Sequence, residues 1–173
     1  RRTRKDGSPI NVSLSTAPLW DGQGRIHGIV AVLADVTEHK RTEAALHFER
    51  HLLNVLFDNI PDAVYFKDRQ SRFIRCSRAT VGGCGVSDLT QVIGKTDFDF
   101  FIEDHARPAF EDEQRIIRTG EPMIGKVEKE AWADGHLSWC LTTKMSLRNE
   151  AGETIGTFGI STDITALKQA EEE

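Results

Sequence analysis

The chain has 173 residues, 39% hydrophobic and 28% charged, which excludes a disordered polypeptide and leaves room for one ordinary domain plus a fragment. Its 27 acidic against 22 basic residues give a net charge of −5, so nothing attracts it generally to nucleic acid or to an anionic membrane surface. The longest largely apolar run, Gly28 to Ala34, is far too short to span a bilayer.

No secretory signal precedes that run. Residue 1 is Arg and the only methionines are Met123 and Met145, so the chain reads as a piece of something longer, cytoplasmic in this segment, with any membrane anchor outside it. Cys76, Cys84 and Cys140 are odd in number and form no CxxC, which predicts reduced thiols.

In chain order, "RRTRKDGSPINVSLSTAPLW" predicts a strand, an Asp6-Gly7 turn and a second strand. The turn "DGQG" and an apolar strand ending at Asp35 complete an antiparallel three-stranded meander over 1–37. Its apolar faces have no cover and its edges no partner. Pairing with another chain, docking on the rest of the molecule and disorder all stay open for it.

A helix follows over 38–57. Asp35 or Thr37 can accept hydrogen bonds from its first amides, and Glu38 suits its N-terminal dipole. Ala45, Phe48, Leu52 and Val55 recur at spacings of 3, 4 and 3, with Leu46, Leu53 and Leu56 alongside. That stripe is too broad for a solvated linker, and predicts packing on a sheet and on a partner helix in a parallel homodimer. The alternative is a stripe wholly spent on one sheet within a monomer. His47 and His51 share a face at i, i+4, but no third ligand is near, so they read as solvated or interfacial rather than metal-binding.

Further on, "PDAVYFKDRQSRFIRCS" predicts two short strands across "DRQS". Ser77 is a plausible N-cap for a short helix at 78–81, broken by "GGCG", and "SDLTQVIG" predicts a second short helix. "DFDFFIEDHARPAFEDEQRIIRTGEP" predicts a long helix stopping at Thr119-Gly120, with Pro122 beyond. Three strands and their turns fill the rest, up to Asp163. The order is β-β-α-α-α-β-β-β.

The last three strands repeat the first meander. A shift of 128 residues carries Asp35-Val36-Thr37 onto Asp163-Ile164-Thr165, Asp6-Gly7 onto Asp134-Gly135, Gly24 onto Gly152 and Gly28 onto Gly156, without a gap. A period of that length is a duplicated domain rather than a solenoid unit.

The strand order, the "PDAVYFKDRQSRFIRCSRA" opening, the "RTGEP" helix end and the "LRNEAGETIGTFGISTDIT" close together resemble a PAS domain of the S-box/PAC kind found in bacterial sensors. The resemblance covers 58–165 as a complete domain and 1–37 as the C-terminal half of a preceding copy. Residues 38–57 become a linker helix and 166–173 the start of an exit helix. It implies an α+β fold, a five-stranded antiparallel sheet with helices inserted between strands two and three. It also implies a sensory module whose last strand hands a signal, through Asp35 and Thr37 or Asp163 and Thr165, to an outgoing helix. The implied output, in cis, is a two-component histidine kinase; the alternatives are a diguanylate cyclase or a ligand-free dimerisation domain.

Parity along the strands, matched to the family's inward face, puts Thr157, Gly159 and Ser161 in the pocket and turns Phe158 and Ile160 outward, under the incoming helix. Cys140 and Thr142 share the inward parity, and Phe98, Phe110 and Ile117 are expected to wall the helical side. The first strand offers either Val64/Phe66 or Tyr65/Lys67. An inward Lys67, with Lys144 near the rim, is costly unless paired. Its partner would be Glu128, Glu130 or a small anionic ligand; a packed core without ligand is the other possibility. The cofactor stays unknown. Against the haem-binding branch, the position eleven residues before Gly120 is Ala109, and His105 lies a turn earlier. Against the flavin branch, the Asn-Cys-Arg-Phe-Leu motif is absent, Cys84 has glycine neighbours, and Cys140 and Ser161 stand where amide side chains are needed. No nucleophile–base pair, phosphate loop or metal cluster is visible, so the chain reads as non-enzymatic.

Overall fold

The computed structural model describes residues 2–172, with side chains to 171; Arg1 and Glu173, the outer ends of the first and last predicted segments, lie outside the described residues. The chain forms two compact units, one ending at Leu53 and one beginning at Asn54.

In the first unit, β1 (Arg2–Thr3) pairs antiparallel with β2 (Pro9–Ile10), and β3 (Val12–Trp20) with β4 (Ile26–Asp35). The predicted meander is thus two ladders meeting at Asn11. Both faces of the β3–β4 hairpin are open: Trp20, Ile29 and Val32 are 60–70% exposed. Helix α1 (Thr37–Asn59) then runs slightly past both predicted ends. Its stripe residues Ala45, Leu46, Phe48, Leu52, Leu53, Val55 and Leu56 are exposed.

The second unit contains β5 (Ala63–Asp68), β6 (Phe73–Cys76), α2 (Arg78–Gly83), α3 (Glu103–Thr119), β7 (Met123–Ala131), β8 (Leu137–Arg148), β9 (Thr154–Asp163) and α4 (Thr165–Glu172). The five strands form one antiparallel sheet in the order β6-β5-β9-β8-β7, so the last strand is central and the first hairpin lies at one edge. Ser77 caps α2 as predicted, accepting from Thr80 N and also from Val64 N, which fastens the helix start to β5. Gly120, at φ +74°, stops α3 with its N–H on Ile116 O, the left-handed exit only glycine makes at no steric cost.

Two predicted helices are smaller. "SDLTQVIG" forms a single 3-10 turn at Leu89–Gln91, capped by Asp88. The long helix begins only at Glu103, because residues 100–102 are drawn into strand-like pairing: Ile102 N donates to Ala131 O and Ala133 N to Phe100 O. The preceding Asp97–Asp99 is a separate 3-10 turn. It holds Asp97 over the core.

Candidate functional site

The β5–β9 register resolves the parity left open by the sequence. Tyr65 lies opposite Gly159 and Lys67 opposite Thr157, so both face the helices together with Ser161. Phe66 faces the other way, stacked on Phe158 and on Phe57 of α1 at centroid distances of 5.7 and 6.0 Å. Two glycines on β9 make the close fit possible. A Cβ at Gly156 would fall 2.0 Å from Lys67 O, and one at Gly159 would fall 2.6 Å from the Tyr65 ring.

Between sheet and helices lies a cavity of about 370 Å³, bordered by Tyr65, Lys67, Cys140, Lys144 and Ser161 among the predicted residues. Thr142 and Thr157 are buried in the same face but do not border it. A hydroxyl chain links Thr142 Oγ1 to Ser161 Oγ at 3.1 Å and Ser161 to Tyr65 Oη at 3.5 Å.

The helical wall differs from expectation. Phe98 is 44% exposed and tilts against Phe110, and Phe110 and Ile117 are only partly buried; none of the three borders the cavity. The buried face of α3 is Ala106, Ala109, Glu113 and Ile116, one residue out of phase with the predicted pair. Two alanines and a glutamate carry little hydropathy, so the bulkier phase was the visible one. Ala109 and His105 both border the cavity, His105 with its ring 4.6 Å from that of Phe101.

The buried lysines find internal partners, and not the predicted ones. Lys67 Nζ donates to Asp97 Oδ1 at 2.6 Å, Asp97 Oδ2 at 2.7 Å and Glu113 Oε1 at 2.8 Å. It also lies 4.5 Å over the Phe73 ring. Lys144 sits inside rather than at the rim, 3% exposed, with Nζ 3.4 Å from Glu113 Oε1. Glu128 instead pairs with Lys126 at 3.0 Å. Two ammonium groups thus face two carboxylates inside the core. The sequence signal for Glu113 was its phase with Ala109 and Ile116; for Asp97 there was none.

Burial pulls both lysines toward the neutral amine, but the carboxylates outweigh it. Asp97 and then Glu113 raise Lys67 above the ordinary lysine value, and Glu113 and then Asp97 do so for Lys144. Burial likewise holds the Tyr65 phenol protonated and raises the thiols of Cys76 to about 11 and Cys84 to about 12. Cys140 is raised too, by burial and then Glu130. Among the described residues, no group of three or more His, Cys, Asp or Glu is placed to hold a metal ion.

Asp163 and Thr165 also border the cavity. Asp163 Oδ1 accepts from Thr165 N at 2.8 Å, Thr165 Oγ1 accepts from Trp139 N at 2.9 Å, and Ile164 N donates to Trp139 O at 2.7 Å. The aspartate therefore caps, whereas the threonine turns back and ties the helix start to the neighbouring strand. The first unit repeats this 128 residues earlier: Asp35 Oδ1 accepts from Thr37 N, Thr37 Oγ1 from Asn11 N, and Val36 N donates to Asn11 O. Thr37, through its side chain and its N–H, and then the Arg4 guanidinium draw the Asp35 carboxyl down to about 2.

The family model described as "PAS fold" matches residues 57–169, well over half of the chain, and one described as "PAS domain" matches residues 1–38. The chain is 26% identical over 115 residues to the methanogenesis regulatory histidine kinase FilI of Methanothrix harundinacea, spanning 66% of this chain and 13% of that one. It is 26% identical over 111 residues to a diguanylate cyclase of Vibrio cholerae, spanning 64% and 34%. The chain thus spans about a third or less of the length of these curated relatives. Among solved structures, VqmA bound to DPO superposes with a TM-score of 0.57 at 25% identity, covering 63% of this chain and 55% of that one. The PAS domain of Bordetella pertussis BvgS superposes with a TM-score of 0.55 at 23% identity, covering 75% and 96%.

Proposed function

This chain belongs to the PAS family, and we propose from that premise that its second unit is a sensory module whose cavity takes a small molecule and whose last strand passes the occupancy on to α4. One observation carries the reading: Ser161, Asp163 and Thr165 border the cavity, and the last two also form the hinge between β9 and α4. A ligand pressing on this end of β9 acts on the helix start without an intermediate element. VqmA, similar in fold and 25% identical, is described as bound to DPO, which supports a ligand-accepting cavity here.

A histidine kinase is the output proposed for the parent, on the likeness to FilI, and a cytoplasmic setting goes with it. The diguanylate cyclase relative favours a cyclase as the second reading. The chain itself carries no catalysis in this proposal. The first unit is proposed as part of a preceding PAS copy, on its repeated hydrogen bonds and its own family match. The exposed stripe of α1, with Phe48 59% and Leu52 52% exposed, is proposed to pack against the same stripe of a second copy in a parallel homodimer. Light scattering with a paired Phe48→Glu, Leu52→Glu variant tests this: wild type at twice the chain mass and the variant at once is expected, and a wild-type monomer at high micromolar concentration overturns it. The coupling is tested by fusing the chain to a histidine kinase. Thr165→Val is expected to uncouple kinase output from a cavity ligand, and unchanged signalling in that variant overturns the coupling.

A further inference from the structure

The charged groups around the cavity are not evenly satisfied. At one end Lys67 and Lys144 are matched by Asp97 and Glu113. At the other, β7 turns Glu128 and Glu130 inward, opposite Cys140 and Ser138 of β8. Glu128 has Lys126. Glu130 is 9% exposed and, among the described residues, has no cation.

What holds Glu130 in place is a short relay. Trp132 Nε1 donates to Ser138 Oγ at 3.0 Å, and Ser138 Oγ donates to Glu130 Oε2 at 3.1 Å. The indole is fixed in turn by Phe101, 4.2 Å away, and by Gly83, where a Cβ would come within 3.0 Å of its ring. The Ser138 hydroxyl and the weakly polar Cys140 thiol, both neutral, are poor compensation for a buried carboxylate, which ordinarily demands a counter-charge or several donors. His136, also at the cavity border, is engaged with Asp134 at 2.6 Å.

We infer that the cavity selects a small ligand bearing a protonated amine or amidine, which places its cation on Glu130 and its apolar body toward Tyr65 and Ala109. The proposal rests on the ligand-accepting reading above and reverses the charge that the lysines suggested from sequence. A cation completes a buried carboxylate that, among the described residues, has no counter-ion, whereas an anion would meet lysines already neutralised. At about 370 Å³ the cavity is at the small end of the roughly 300–1,000 Å³ usual for ligand sites, which suits a single-ring amine.

Matched probes of one shape test the charge class: benzylamine, benzyl alcohol and benzoate, titrated into the 173-residue chain and followed by amide chemical shifts and thermal stability. Benzylamine is expected to bind at least about tenfold more tightly than either other probe, to raise the melting temperature and to shift the amides of Glu130 and Ser161. Glu130→Gln is expected to remove that preference while leaving benzyl alcohol unchanged. Should the variant fail to fold, the wild-type comparison still decides. Tighter binding of benzyl alcohol or benzoate overturns the amine class and leaves the ligand-accepting cavity standing. No shift at Glu130 or Ser161 with any probe overturns both.

Discussion

Lys67 Nζ lies 2.8 Å from Glu113 Oε1, and neither residue is more than 1% exposed. This contact crosses the core from β5 to α3, with Asp97 on its other side. Removing the ammonium leaves two buried carboxylates facing only Lys144. Lys67→Met is therefore expected to destabilise the fold by about 3–5 kcal/mol despite adding an apolar side chain. Urea unfolding measures it, and a variant as stable as wild type would show that the carboxylates find other partners.

The pH dependence follows from the same cluster. The folded-state values of Lys67 and Lys144 are raised, so their contribution is complete below the unfolded lysine value and is lost as pH climbs through the folded values. Tyr65, Cys76, Cys84 and Cys140 are also raised and stay protonated in the fold while the unfolded chain ionises. Every one of these groups makes the unfolded state bind fewer protons at high pH. The guanidinium unfolding midpoint is expected to fall steadily from about pH 9 upward. A midpoint constant to about pH 11 would contradict the assignment.

Thiol chemistry reports the same burial independently. With Cys76 raised from 9.0 to about 11 and Cys84 to about 12, the thiolate fraction at pH 8 falls by about hundredfold or more. Maleimide labelling of the folded chain is expected to be slower than that of the urea-unfolded chain by at least that factor at both positions. Mass spectrometry of timed digests measures it.

Thr165 gives up its bond to Trp139 N in the valine variant without a change of shape. Loss of the acceptor is expected to cost about 1–2 kcal/mol and to speed hydrogen exchange at the Trp139 amide, with Thr165→Ser restoring both. Thr37→Val is expected to act in the same way at the Asn11 amide. An unchanged exchange rate at Trp139 would mean that the hydroxyl does not tie the strand.

Gly159→Ala tests the close approach beneath Tyr65. The added methyl falls 2.6 Å from the ring. Tyr65 has to move into the cavity, at an expected cost of about 1–3 kcal/mol, with shifted Ser161 and Thr142 amides in the NMR spectrum.

The sequence by itself determined the succession of the five strands and of α2 and α3 in the second unit, the stop of α3 at Gly120, the Ser77 cap and the two Asp-x-Thr junctions, because each rests on chemistry within a few residues. It also exposed the 128-residue echo, whose turns and strand ends reappear as the same hydrogen bonds. Only the tertiary structure decided the inward face of β5, since periodicity leaves Val64/Phe66 and Tyr65/Lys67 equivalent until β9 fixes the register. It likewise decided the phase of α3. There the buried positions are two alanines, an isoleucine and a glutamate, whose place inside is set by Lys67 and Lys144 rather than by hydropathy. A buried charge is placed by its partner, and a partner 46 residues away along the chain is visible only once the chain has folded.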